Sequence, residues 1–270
     1  MAGEQDWIPP GVDTKRANVA RVYDYLLGGS HNFLADQDVG RALAAVEPNV
    51  RAFARANREF LGRAVRFLSE AGIRQFLDIG SGIPTQGNVH EVAQRAHPST
   101  RVAYADVDPV AVAHSTAILA GNQNAAVIEA DLREPEKILT HQAIEHLIDF
   151  SQPTGLLLVS VLPFITGAED PWRIVATLRD ALAPGSYLVL CHGTDEGKPE
   201  MIQAMGKVYN SSVATKAGAR SRAEILRFFR GFELVYPGLV YIAQWRPDSP
   251  ADVLGDPSQV WGLVGVGRKP

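Results

Sequence analysis

The chain has 270 residues, 46% of them hydrophobic, enough for one sizeable α/β core with a small accessory region. A formal net charge of -4 and a single cysteine exclude a globally basic nucleic-acid-binding surface and any disulfide framework within the chain. No apolar run approaches the ~20 residues that cross a bilayer, and residues 1–11 lack the apolar stretch of a signal peptide, so the expectation is a cytoplasmic protein with no membrane partner.

The first third reads as helical. Asp13 or Thr14 can cap a helix whose Val19, Val22, Tyr23, Leu26 and Leu27 follow i, i+3, i+4 spacing, and Gly28-Gly29 ends it. A second helix is predicted over 36–46. A third runs to about residue 71, with Val50, Phe53, Ala54, Asn57, Phe60, Leu61, Ala64 and Leu68 on one face. Arg51, Arg55, Arg58, Arg63 and Arg66 on this third helix read as a solvated face. The block contains no strand, so its apolar stripes must pack on something else.

From residue 74 the pattern becomes strand, turn, helix, repeated: strands over 75–79, 101–106, 125–130, 155–162 and 187–192, with helices between them. The run 155–162 is nearly all apolar and reads as buried on both faces. Cys191 lies in such a run and reads as a buried strand cysteine rather than a nucleophile. Residues 199–213 look like an inserted helix, and Ser221 with Glu224 forms a capping box for another that ends at Gly231. Strands follow over 232–236 and 260–267, with 239–245 as a continuation or bulge. Alternating strands and helices imply a mostly parallel sheet whose ligands bind beyond the carboxyl ends of the strands.

The residues at those ends carry the chemistry. After the first strand stands Phe76-Leu77-Asp78-Ile79-Gly80-Ser81-Gly82-Ile83-Pro84-Thr85. The paired glycines let the backbone approach a ligand, and the following helix points free N–H groups at the same space. A nicotinamide-dinucleotide fingerprint would place glycine where Thr85 stands, and Asp78 would repel a phosphate but suits a cationic amino group. After the second strand, Asp106 can accept ribose hydroxyls, while Asp108, before Pro109, is placed to cap the next helix. After the third, Asp131 can accept from an adenine amino group.

This segment resembles the first motif of class I S-adenosylmethionine-dependent methyltransferases. More narrowly, it is similar to a bacterial S-adenosyl methyltransferase family long catalogued as a domain of unknown function, which residues 20–33, 130–139 and 238–248 also match. The resemblance covers roughly residues 13–270. It implies a Rossmann-like, seven-stranded, mostly parallel sheet with an antiparallel last strand, and N-terminal helices over the cofactor mouth. The implied organisation is a flexible segment over 1–12, a helical lid over 13–72, and a cofactor-binding domain over 73–270 with a helical insertion at about 198–220.

The expected cofactor is S-adenosylmethionine, with S-adenosylhomocysteine as product and no metal, since the seven histidines and one cysteine are scattered. Its expected contacts are Asp78, Gly80, Ser81, Gly82, Pro84 and Thr85 of the first loop, Asp106 and Val107, Asp131 and Leu132, and Val161 after the fourth strand. The resemblance leads one to expect histidine at position 163, where this chain has Pro163, a side chain that is neither acid nor base. Methyl transfer needs a general base only when the acceptor is protonated. Tyr23 and His31 near the lid, and His192 at the end of the fifth strand, are the candidates.

A small-molecule methyltransferase, monomeric or homodimeric and without nucleic-acid partners, is the leading reading. A non-catalytic or regulatory S-adenosylmethionine-binding protein is the alternative, and a nicotinamide oxidoreductase ranks behind both.

Overall fold

The computed structural model describes Pro9 and residues 12–84, 87–213, 215–253 and 255–270. The expected flexible segment over 1–12 and the expected contact Thr85 therefore lie, respectively, almost wholly and wholly outside the described residues.

Three helices come first, α1 (Val19–Leu27), α2 (Leu34–Val46) and α3 (Val50–Glu70). Then follow β1 (Gln75–Ile79), α4 (Val89–Ala96), β2 (Arg101–Asp106), α5 (Pro109–Ile118) and β3 (Ala125–Glu129). Next are α6 (Pro135–Leu139), α7 (Gln142–Leu147), β4 (Gly155–Val159), α8 (Pro171–Ala181) and β5 (Tyr187–Gly193). The chain finishes with α9 (Pro199–Ser212), α10 (Arg222–Leu226), β6 (Glu233–Leu234), β7 (Val240–Tyr241) and β8 (Gly262–Arg268).

Seven strands run edge to edge in the order β3-β2-β1-β4-β5-β8-β6, and the short β7 pairs with β8 as an eighth. The expectation of seven is thus one short, because the stretch read as a bulge pairs as Val240↔Val264 and Tyr241↔Leu263. The first five in the order are parallel, and β8 is antiparallel to β5.

The period-two rule of strands explains both cores. Leu77, Ile79, Leu156, Leu158, Leu188 and Leu190 face one side, where Ile138 of α6, Ile144 of α7, Ile174 and Leu178 of α8 and Ile225 of α10 cover them. Phe76, Leu157, Val189 and Cys191 face the other side and meet Phe60, Leu61, Ala64 and Leu68 of α3 and Val89 and Ala93 of α4. Each such fully buried side chain contributes about 1.5–3 kcal/mol relative to exposure, so α3 is held to the sheet firmly. A third cluster joins Val22 and Leu26 of α1, Val39 and Leu43 of α2, Val50 and Ala54 of α3 and Met205 of α9, with Trp261.

Several boundaries differ from expectation for local reasons. Asn18, not Asp13 or Thr14, caps α1, its Oδ1 accepting from Ala20 N at 2.8 Å, because Ala17 is held extended by a parallel bridge to Val213. β4 stops at Val159 rather than 162, because Ser160 turns the chain with φ 62°. The helix expected between β3 and β4 is two short ones, broken at Thr140 and His141. Among the described residues, no helix is long and apolar enough to cross a membrane.

Candidate functional site

A cavity of about 620 Å³ opens beyond the carboxyl ends of β1, β2 and β4. Its floor is the loop after β1. Gly80 and Gly82 both adopt positive φ, 75° and 66°, which a side chain would resist. Their roles differ. A Cβ on Gly80 would meet Val161 Cγ2 at 2.4 Å, so this glycine makes room for the wall, whereas a Cβ on Gly82 would enter open space. Ser81 lines the cavity, and its Oγ is buried without a hydrogen-bond partner.

The strand-end acids converge here. Asp78 lines the cavity, takes no hydrogen bond among the described residues, and is pushed by burial up to about 7, with Arg58 opposing and Asp106 adding to the shift. Asp106 accepts from Gly82 N at 2.7 Å and from Asp108 N at 2.9 Å, and burial pushes it up to about 6. With Val107 N also directed at it, part of its capacity of roughly four acceptor positions is left for a ligand. Asp108 caps α5, accepting from Val110 N at 2.7 Å, and lies 3.5 Å from Arg21 Nε of α1. Asp131, Leu132 and Val107 complete this end, Val107 being an apolar side chain left 56% exposed.

Two cations at this end were not anticipated. Arg133 clamps Asp131 at 3.2 Å, pairs through Nε with Glu169 and donates to Phe164 O at 3.0 Å. Arg58 was read as a solvated residue, yet it lines the cavity beside Asp78, donates to Ile83 O at 3.3 Å and keeps a buried Nε without a partner. Arg63 departs from that reading too, being 7% exposed and donating to Trp245 O at 3.0 Å and Ile242 O at 2.9 Å. Arg66, bound to Asp248, stays on the surface as expected.

The upper wall is of another kind. It comes from α1 (Val19, Tyr23), α3 (Phe53, Asn57) and α9 (Ile202, Met205, Tyr209), with Trp261, Phe164 and Pro163. Phe53 stacks on Trp261 with ring centroids 4.8 Å apart, and Phe164 lies 5.9 Å from Tyr209. A hydrogen-bonded file crosses it: Ser160 Oγ to Asn57 Oδ1 at 3.1 Å, Asn57 Nδ2 to Tyr23 Oη at 2.8 Å, and Tyr23 Oη to Ala54 O at 3.0 Å.

The candidate bases fare unevenly. Tyr23 is in the wall, but burial raises its phenol, so it stays neutral at pH 7. His192 is fully buried, its Nδ1 on Gly193 O at 2.7 Å and its Nε2 on Arg220 Nη1 at 2.6 Å, outside the cavity lining. Burial and Arg220 push it down to about 3, which removes it as a base. His31 also lies outside the lining, its ring 3.9 Å from that of His114. Pro84 borders a small recess behind the loop instead of the main cavity. Among the described residues, Asp78, Asp106 and Asp131 are the only carboxylates lining the cavity, no histidine does, and no cluster could hold a metal.

A crystal structure of a candidate methyltransferase from Thermobifida fusca YX is 45% identical, with a TM-score of 0.92 over 98% of this chain and 99% of that one. A DUF574 family protein from Streptomyces avermitilis MA-4680 is 37% identical, with a TM-score of 0.92 over 96% of this chain and 99% of that one. The N-methyltransferase NodS from Bradyrhizobium japonicum WM9, solved with S-adenosyl-L-homocysteine, is 16% identical with a TM-score of 0.50 over 87% of this chain and 97% of its own, a likeness of fold alone. No curated protein matches the chain. Over residues 5–270 the sequence matches the model of the S-adenosyl methyltransferase family, and the chain belongs to that family.

Proposed function

We propose that this protein transfers a methyl group from S-adenosylmethionine to a small molecule held under α1, α3 and α9. The observation that carries the reading is the placement of Asp78 and Arg58 together at the cavity floor, an acid with no hydrogen-bond partner among the described residues and a cation whose buried Nε has none. That donor set fits an α-amino acid, with Asp78 toward the ammonium and Arg58 toward the carboxylate. Asp106 has acceptor positions left for the ribose hydroxyls, Val107 offers an apolar surface to the adenine, and Asp131 can accept from its amino group. The open space over Gly82 leaves the backbone bare for close approach.

The sulfonium of S-adenosylmethionine supplies an activated methyl group, so the protein's own work is to position the acceptor and exclude water. The apolar wall does both. No histidine or carboxylate of the described residues stands at that end, which suits an acceptor whose nucleophile is unprotonated at neutral pH. The same observation favours the second reading, a binding or regulatory protein without turnover; Pro163, whose carbonyl accepts from Gly218 N at 2.9 Å, adds no base. Calorimetry with S-adenosylhomocysteine tests the cofactor reading: binding at micromolar affinity or tighter is expected, and absence of heat overturns it. Cofactor binding with no methyl acceptor found in a broad metabolite screen would favour the second reading.

A further inference from the structure

We infer that Ser160 positions the methyl acceptor, and that the acceptor is a flat, apolar molecule carrying an N–H or O–H group for Ser160 Oγ to accept. The inference rests on the cofactor reading above and adds the substrate class.

The argument starts at a backbone carbonyl. Ala54 O can only accept, so the single hydrogen of Tyr23 Oη, 3.0 Å away, is committed to it. Tyr23 Oη must then accept from Asn57, which fixes the amide with Nδ2 toward Tyr23 at 2.8 Å and Oδ1 toward Ser160. Asn57 Oδ1 can only accept as well, so the hydrogen of Ser160, 3.1 Å away, is committed in turn. Asn57 is 4% exposed and Tyr23 is seated in the wall, which leaves the file little freedom to reverse. Ser160 therefore offers the cavity oxygen lone pairs and no hydrogen. The buried thiol of Cys191 is its other polar neighbour.

Position and surroundings complete the case. Ser160 follows β4 directly, between the glycine loop below and the apolar wall above, and lines the same cavity as Asp78. Its φ of 62° is a conformation that glycine adopts more readily, so the hydroxyl is held here against the backbone's preference. Phe53, Trp261, Phe164 and Tyr209 supply ring faces for a flat body.

Indole and benzothiophene test the idea, being alike in shape while only indole has an N–H. Titrated by ligand-observed NMR into protein saturated with S-adenosylhomocysteine, indole should bind about five- to tenfold more tightly, as for one added hydrogen bond. Ser160→Gly suits the local φ and should abolish the preference. Tyr23→Phe keeps the Ser160 hydroxyl but frees the amide of Asn57 to turn and the hydroxyl to donate, so the preference should shrink there also. A purely structural serine would not respond to Tyr23→Phe in this way. Equal affinities in the wild type, no binding of indole, or a full preference retained by either variant overturns the inference. If S-adenosylhomocysteine itself fails to bind, the cofactor reading falls and this one with it; if it binds without the preference, only this one falls.

Discussion

The two ends of the cavity are built from different material. The floor is bare loop backbone with three carboxylates and two guanidiniums, all within or near the strand ends except Arg58. The upper wall is mainly aliphatic and aromatic, with neutral amides and hydroxyls and Lys207 as its charged residue, and is assembled from α1, α3 and α9, the last far from the others in sequence. The floor is suited to a ligand of fixed charge pattern and supplies binding energy. The wall is suited to shape and a few directed hydrogen bonds, and supplies selectivity. A protein divided in this way can change its acceptor through the wall while its cofactor end stays the same.

Substitutions should separate the two ends. Asp78→Asn is expected to have the largest effect on the cofactor, weakening S-adenosylhomocysteine by about 2–5 kcal/mol, the usual cost of removing one partner of a buried charge pair. The ligand-free protein should melt higher, because a neutral amide escapes the burial that pushes this carboxyl up to about 7. Calorimetry and thermal melts read both, and unchanged affinity would remove Asp78 from the ammonium site.

pH gives the next largest effect. Affinity for S-adenosylhomocysteine should fall as pH drops through about 7, where Asp78 takes up its proton. The stability of the free protein should move the opposite way. Its folded carboxyl holds a proton that the unfolded one, with an ordinary value of 3.8, has released, so this contribution grows as pH falls from 8 to 6. A flat affinity profile over that window would contradict the assignment.

Met205→Ala at the wall should give the reverse signature: a loss of about 2–5 kcal/mol of stability from the cavity it leaves, with cofactor affinity changed by no more than about twofold once the folded fraction is corrected for. A large loss of affinity would show that the two ends are not separable. The smallest effect belongs to His31→Ala. This residue stands outside the cavity lining and should leave cofactor affinity unchanged by calorimetry.

Legibility followed the same division. The strands β1 and β2 were read to the residue because an apolar run ending on an acid or a glycine is a local signal. Asp78 and Asp106 lie at the ends of those strands, and Gly82 and Asp131 stand within three residues of the ends of β1 and β3, so the floor is legible in short segments. Arg58 could not, since its spacing on α3 matches that of Arg55 and Arg66, which stay outside; what distinguishes it is which way α3 faces once it lies on the sheet. A hint was present in Asn57, a polar residue within an otherwise apolar stripe, now found 4% exposed and bonded to Tyr23. Ser160 was hidden for another reason: a left-handed backbone at a serine leaves no mark in composition, so the strand was extended past it. The insertion α9 was seen as a helix, but its place in the wall depends on packing against α2 and on the bridge from Val213 to Ala17, contacts that no local pattern encodes.

Cys191, the single thiol of the sequence, has a practical consequence. It is fully buried behind Ser160, and burial pushes it up to about 12, so almost none of it is thiolate at neutral pH. Iodoacetamide should modify the native protein only when the sheet opens at β5. Its labelling rate is thus an intrinsic clock for opening beneath the acceptor wall, readable by mass spectrometry at one site without an engineered probe. Ligands that close the cavity should slow that clock, and labelling as fast as that of the unfolded chain would show that the strand is not shielded.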